Sequence, residues 1–329
     1  MTKRRFIGQL GGNETIDDVF LASDKQLRPN RAGNLYLQVR LSDKSGSVTG
    51  MMWNANDRVY HRFENGDYVR VEGKSQVYNG SLQLIIRDIE RVETEVDESE
   101  FFAVSKHSVD QLLNEVSDHL RSMKNEALVK LAECFLNDPE FVRQFQLAPA
   151  GVKLHHAYRG GLLEHVASLL RVADRVAPLY ESLDPDLLKM GVFLHDLGKI
   201  EELAFERDLA YSDRGQLVGH IVQGVQMLDR RIAEWETDQG TSFPEELRWR
   251  LEHLIVSHHG TQEFGSPRVP MTPEAVALHF LDNLDAKLHA VEQVLESEVN
   301  PDSPWTPYEP SLGRKLFRGR RDTGETTQS

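Results

Sequence analysis

Residues 35–41, Leu-Tyr-Leu-Gln-Val-Arg-Leu, alternate apolar and polar side chains with a period of two, as a half-buried strand does. Asp43-Lys44-Ser45-Gly46 reads as a turn, and residues 47–53 return as a second strand. Further strands are predicted at 67–73, 76–78 and 81–87, the last two joined by Asn79-Gly80. Asn-Gly is a strong hairpin signal because both turn positions need positive φ. Residues 93–100 are acidic and polar and read as a linker; beyond them the period changes. Val109, Leu112, Leu113, Val116, Leu120 and Met123 fall on one face of a helix. More helices are predicted near 125–136, 139–146, 161–180, 185–199, 216–236, 244–259 and 272–298. The tail from Pro301 is rich in Pro, Gly, Ser and Thr.

The expected fold is therefore a multidomain α and β chain. Residues 1–92 hold about five short strands and a helical insert near 58–63, which suits a small OB-type β-barrel. Residues 101–298 are all helical, and 299–329 form a flexible basic tail. The length of 329 residues agrees with two domains at about 150 residues each.

Composition narrows the picture. Apolar residues are 40% and charged residues 27%, a globular profile. Cys134 is the one cysteine, which excludes a disulfide framework or a thiolate zinc finger within one chain and fits a reducing compartment. No apolar run reaches membrane-spanning length, and the basic start has no apolar core of a signal peptide; the expected location is the cytoplasm. The net charge of −14 argues against bulk nucleic-acid binding, yet it is uneven: residues 1–92 carry 14 Lys and Arg against 11 Asp and Glu. Any polyanion contact belongs mainly to that first segment. Tyr36, Trp53 and Tyr78 are candidates to stack bases, with Arg40, Arg70 and Lys74 on phosphates. The competing reading places those rings in the barrel core. The cations of residues 314–321 read as a solvated tail, with an RNA-guiding arm as the alternative.

The chemistry lies in the histidines. Of thirteen, His165, His195 (followed by Asp196), His220 and the pair His258-His259 fall on different predicted helices, as does Asp282. A helical bundle can point such ligands from several helices at one centre. Imidazole and carboxylate donors without thiolate suit Mn, Fe, Co, Ni or Zn. His195-Asp196 closes the apolar stretch 187–194, where an unpartnered polar pair is costly and a metal is a fitting partner. Lys199 shares their helix face and can reach a phosphate held there. His61, His107, His119, His253, His279 and His289 read as structural or solvated.

The set His165, His195-Asp196, His220, His258-His259 and Asp282 resembles the HD-domain metal-dependent phosphohydrolases. The segments His155-His-Ala-Tyr-Arg-Gly-Gly-Leu-Leu-Glu-His165, Phe193-Leu-His-Asp-Leu-Gly-Lys199 and Leu281-Asp-Asn-Leu-Asp-Ala-Lys287 resemble a narrower group, the YhaM-type 3′→5′ exoribonucleases. That group sets an OB-type domain before an HD domain, and the resemblance runs to about residue 298. It implies two divalent metals, with Mn, Co, Fe or Ni ahead of Zn or Mg. His165, His195, Asp196 and Asp282 would hold one. Asp196 would bridge to the other, completed by His220 with His258, His259 or both. Asp285 is a candidate outer partner. His155, His156 and Arg159 would meet substrate at the cleft edge, and Asp196 and Lys199 would be catalytic. The implied reaction is hydrolysis of single-stranded RNA, with DNA as a further substrate, by metal-activated water, releasing nucleoside 5′-monophosphates. A homo-oligomer is compatible with the sequence; a membrane partner is not expected. Two other readings stand beside this one: an HD phosphohydrolase of nucleotides or cyclic nucleotides, and a non-catalytic nucleic-acid-binding adaptor. The lack of Gly-Tyr-Pro after His258-His259 speaks against the cyclic-dinucleotide branch.

Overall fold

The computed structural model describes residues 4–78, 81–101, 107–151, 158–205, 210–296, 303–310 and 312–319. The first part is a five-stranded closed barrel. Its strands are β1 (Thr15–Pro29), β2 (Leu35–Asp43), β3 (Gly46–Trp53), β4 (Tyr68–Tyr78) and β5 (Ser81–Arg91), with α1 (Asp57–Tyr60) between β3 and β4. The strand order is β1-β2-β3-β5-β4, and the barrel closes through the one parallel pair, β3 with β5. Alternation sets the interior: Leu37, Val39 and Leu41 on β2 are fully buried, with Val69, Val71, Leu84 and Ile89 from the neighbouring strands.

The expected strands at 67–73 and 76–78 are one strand, β4, whose register shifts between Glu72 and Gly73. A Cβ on Gly73 would lie 2.3 Å from the Ile85 carbonyl oxygen, so the bulge needs glycine. The pair Tyr78↔Ser81 brackets the Asn-Gly turn, which itself lies outside the described residues. The long β1 was not individually legible. Its pairing with β2 shifts between Ser23 and Gln26, and Asp24 adopts φ 49°, so the apolar alternation breaks there.

Residues 93–100, read as a linker, end in one 3-10 turn, Glu98–Glu100, and Val96 packs beside Leu21 and Phe101. Phe101 is buried in a small cluster with Leu21, its ring centroid 4.6 Å from Tyr68. Glu100 accepts from Arg4, and its carbonyl accepts from Lys44 N.

The helical part comprises α2 (Val109–Arg121), α3 (Glu126–Leu136), α4 (Pro139–Leu147), α5 (Gly161–Val176), α6 (Pro185–Leu194), α7 (Lys199–Glu202), α8 (Asp213–Val218), α9 (His220–Gln239), α10 (Glu245–Ser257) and α11 (Pro273–Glu296). The two-residue strands β6 (Leu203–Ala204) and β7 (Ala210–Tyr211) pair between α7 and α8. Side-chain caps start most of the helices. Asp184, for example, accepts from Asp186 N and Leu187 N ahead of Pro185 at the first helical position. Every residue of α6 from Leu187 to Leu194 except Lys189 is buried, so α6 is the central helix, flanked by α5, α10 and α11.

Two helices expected to be continuous are broken. The stretch expected at 185–199 stops at Leu194; residues 195–198 tighten into i to i+3 turns (Leu197 N to Leu194 O, Lys199 N to Asp196 O) before α7. The stretch expected at 216–236 splits at Gly219, whose φ of 76° and ψ of 158° end α8 and begin α9. Close backbone approach explains the first break. A Cβ on Gly198 would fall 1.9 Å from the His220 carbonyl oxygen and 2.7 Å from Gly224 N.

The tail is not wholly without structure: Trp305 bridges to Phe317 and Glu309 to Arg314. Among the described residues no helix is long and apolar enough to cross a membrane.

Gly198→Ala is expected to push α9 away from the 195–198 turn, destabilising the helical part by about 1–3 kcal/mol as overpacking does. A thermal melt followed at 222 nm checks this; an unchanged midpoint would refute the close-contact argument.

Candidate metal centre

Five elements end at one point. α5 brings His165, the turn after α6 brings His195 and Asp196, α9 begins with His220, α10 ends at His258 with His259 next, and α11 carries Asp282. They form two groups of three donors. His165, His195 and Asp282 have ligand atoms within 4.8 Å of one another, and so do His220, His258 and His259.

Asp196 lies between the groups and offers one oxygen to each. Its Oδ2 is 3.5 Å from His195 Nε2 and 3.9 Å from His165 Nε2. Its Oδ1 is 3.6 Å from both His220 Nε2 and His258 Nε2. Donor atoms about 2.1 Å from a shared cation stand roughly 3–3.5 Å apart, close to these separations.

The tautomers make the same point. His195 Nδ1 is 2.8 Å from the Val192 carbonyl, His258 Nδ1 is 2.7 Å from that of Ile255, and His259 Nδ1 is 2.9 Å from that of Phe264. A carbonyl only accepts, so each Nδ1 donates and each Nε2 keeps its lone pair. His165 Nδ1 is held at 2.8 Å by Asp285, which also accepts from Ser168 Oγ at 2.6 Å. His220 Nδ1 is 3.2 Å from Glu202, which accepts from His220 N at 3.0 Å as well. Imidazoles fixed in this way by an outer carboxylate or carbonyl are typical metal ligands.

Unmade hydrogen bonds test the fit. Asp196 Oδ1, His220 Nε2 and His258 Nε2 have no hydrogen-bond partner and lie out of contact with solvent. Lone pairs facing each other in a dry site are costly, and divalent cations are the partners this donor set suits.

The fields are strong. Burial pushes the Asp196 carboxyl up, but the Lys199 ammonium and the His195, His258 and His220 imidazoles hold it well below the usual range. Burial likewise opposes charge on Asp282, and His165 and His195 outweigh it. His195 and His259 are pushed down to about 4, chiefly by burial. Burial would lower His165 too, but Asp282 and Asp285 raise it to about 9. Lys199 Nζ donates to Asp196 Oδ2 at 2.6 Å, and Asp196 raises its pKa against the effect of burial.

His155 and His156 lie outside the described residues. Arg159 pairs with Glu98 of the segment that follows β5. On the barrel, Tyr36 and Trp53 pair across β2 and β3 with ring centroids 5.3 Å apart. Tyr36 is half-buried, Trp53 is 50% exposed and Tyr78 is 60% exposed, which sets Trp53 and Tyr78 outside the core. Arg70 is paired with Asp17 rather than open. Sequence reasoning missed Glu202 and Ser168, because a residue that acts only through another ligand leaves no spacing signature. His279, read as structural, donates from Nδ1 to the His258 carbonyl at 2.8 Å and so braces that ligand's backbone.

Asp285→Asn is expected to weaken cation affinity about 10–100-fold while leaving the fold intact, because the His165 tautomer loses its carboxylate. Competition with a chromophoric chelator measures it; wild-type affinity would mean that His165 is not a ligand.

Residues 162–287 match the HD domain family, and residues 23–92 match an OB-fold nucleic acid binding domain described as tRNA_anti-codon. The chain is 34% identical over 300 residues to the 3'-5' exoribonuclease YhaM of Bacillus subtilis (strain 168), covering 90% of this chain and 92% of the relative. It is 35% identical over 302 residues to the YhaM of Bacillus velezensis, with the same coverage of each. The YhaM of Halalkalibacterium halodurans is 33% identical over 286 residues, 86% of this chain and 87% of the relative. Among solved structures, the second OB-fold domain of replication protein A from Methanococcus maripaludis matches 28% of this chain and 98% of its own, at 20% identity and a TM-score of 0.23. Joined end to end with relatives that match both its barrel and its histidine-bearing helices, the chain belongs to the YhaM 3'-5' exoribonuclease family.

Proposed function

We propose that this protein is a metal-dependent 3′→5′ exoribonuclease that hydrolyses single-stranded RNA, with DNA as a further substrate, and releases nucleoside 5′-monophosphates. The observation that carries the reading is Asp196, whose two oxygens face separate sets of inward-turned imidazole nitrogens. In this reading His165, His195, Asp282 and Asp196 hold one divalent cation. Asp196 reaches a second with His220, His258 and His259. We take Mn, Co, Fe or Ni ahead of Zn or Mg, a choice that nitrogen and oxygen donors without thiolate support.

A divalent cation held there supplies Lewis acidity, which makes water a nucleophile at neutral pH and neutralises phosphoryl oxygens. The chain's own residues do the rest. Asp285 and Glu202 fix the ring orientations of His165 and His220, so the donors are arranged before substrate arrives. Lys199, kept protonated by Asp196, sets a permanent positive charge beside the centre; we assign to it the negative charge that builds on the phosphoryl oxygens during attack. The barrel retains the strand between successive cuts, with Tyr36, Trp53 and Tyr78 stacking bases. A cytoplasmic location goes with this substrate.

With a 5′-labelled 20-mer, metal-stripped protein is expected to yield no product. Restored with Mn, it should give a ladder of shortening labelled strands, while a 3′-blocked strand should resist. Early release of the label as a mononucleotide would reverse the polarity and overturn the reading. Asp196→Asn should lose activity at least about 100-fold under the same cation. Trp53→Ala should raise KM for the 20-mer about fivefold or more, the loss of one stacked base, with little effect on a dinucleotide.

A further inference from the structure

The C-terminal segment folds back on itself as a small ribbon. Thr306 N donates to Leu316 O at 2.9 Å, and Arg318 N to Pro304 O at 2.8 Å, closing the Trp305↔Phe317 bridge. Leu316 N donates in turn to Thr306 Oγ1 at 2.9 Å. The ribbon is fastened to the rest of the chain: Arg318 Nη2 donates to the Val294 carbonyl at 3.3 Å, on the last turns of α11. That helix carries Asp282 and Asp285.

The ribbon's surface combines two chemistries. Trp305 and Phe317 pack on each other with centroids 4.9 Å apart, yet Trp305 is 48% exposed and Phe317 57%, and Tyr308 is 59% exposed. Arg314 and Lys315, beside them, are exposed. Residues 314–321 hold five cations and no acid, in a chain whose net charge is −14. Aromatic faces interleaved with cations are what a single strand needs, rings for its bases and charges for its phosphates.

We propose that the ribbon formed by residues 305–310 and 312–317 is a second platform for single-stranded RNA, separate from the barrel, with Trp305, Tyr308 and Phe317 stacking bases and Arg314 and Lys315 meeting phosphates. Val294 and Asp282 are twelve residues apart on α11, about 18 Å along the helix axis, or roughly five stacked nucleotides. A strand whose end lies at the histidines is therefore within reach of the ribbon. The proposal rests on the exoribonuclease reading of the metal centre and adds a place where the uncut strand is held.

The test uses the full chain and a fluorescent 20-mer of uridine, with chelator present so that no cleavage occurs. Arg314→Gln with Lys315→Gln should flatten the dependence of log affinity on log salt by about 1.4, two phosphate contacts at roughly 0.7 each. Trp305→Ala with Phe317→Ala should weaken binding about fivefold or more. Because that pair also holds the ribbon together, Tyr308→Ala, whose ring lies outside the pair, should weaken binding on its own. In turnover with Mn, the loss caused by these variants should grow with strand length. Unchanged affinity and salt dependence in both the Tyr308 and the Arg314/Lys315 variants overturns the proposal. So does unchanged RNA binding with an altered sedimentation coefficient, which would make the ribbon a contact between protein chains. A wild-type protein that binds the 20-mer but releases no nucleotide with any divalent cation overturns the exoribonuclease reading, while the binding arm still decides the ribbon.

Discussion

The buried carboxylate of Asp196 is the constraint around which the helical part is arranged. An anion enclosed in a protein interior costs several kcal/mol unless opposite charge and donors surround it. Here the compensation comes from Lys199 on one oxygen and, at longer range, from four imidazoles drawn from α5, the turn after α6, α9 and α10. Lys199 neutralises one side only. Oδ1 stays without a hydrogen bond, facing two histidine nitrogens that also lack one. The protein thus spends stability on a cluster that is incomplete without cations, just past its central helix.

The surrounding structure keeps that cluster open rather than letting it collapse. Each inward-facing imidazole is tied by its other nitrogen, to a carbonyl at His195, His258 and His259 and to a carboxylate at His165 and His220. These outer bonds fix which nitrogen each ring turns inward. Two glycines set the spacing behind them. Gly198 lets the turn after α6 touch the start of α9, and Gly191 lets α6 approach Leu254 of α10, where a Cβ would meet Leu254 Cδ1 at 2.8 Å. The metal centre is therefore built from backbone proximity as much as from ligand identity.

Charge divides the labour between the two parts. The barrel segment carries a small excess of cations, and the remainder of the chain is strongly acidic. In the proposed reading a polyanion is drawn to the barrel and to the C-terminal ribbon and repelled by most of the remaining surface. The barrel is also joined closely to the helices. Phe101 packs against Tyr68, and Glu98 pairs with Arg159 just before α5.

Much of this was legible in the residues alone. Alternation in 35–41 and 47–53 gave β2 and β3, because a half-buried strand must repeat every two residues. The apolar run before His195 marked the central helix, because only a helix buried all round can be apolar all round. Seven histidine and aspartate positions spread over five predicted helices pointed to a shared centre, because few other roles need that donor set. What the sequence could not yield were features decided by contacts between distant segments. The turn at 195–198 follows from its backbone meeting the start of α9, where helix propensity carries no information. The course of β1 past its bulge was set by its two neighbours, and the outer ligands Glu202 and Ser168 by which side chain a folded helix brought alongside an imidazole. Local pattern determined the elements and the donor chemistry; packing alone decided how far apart the donors stand, since that distance exists only once the helices have met.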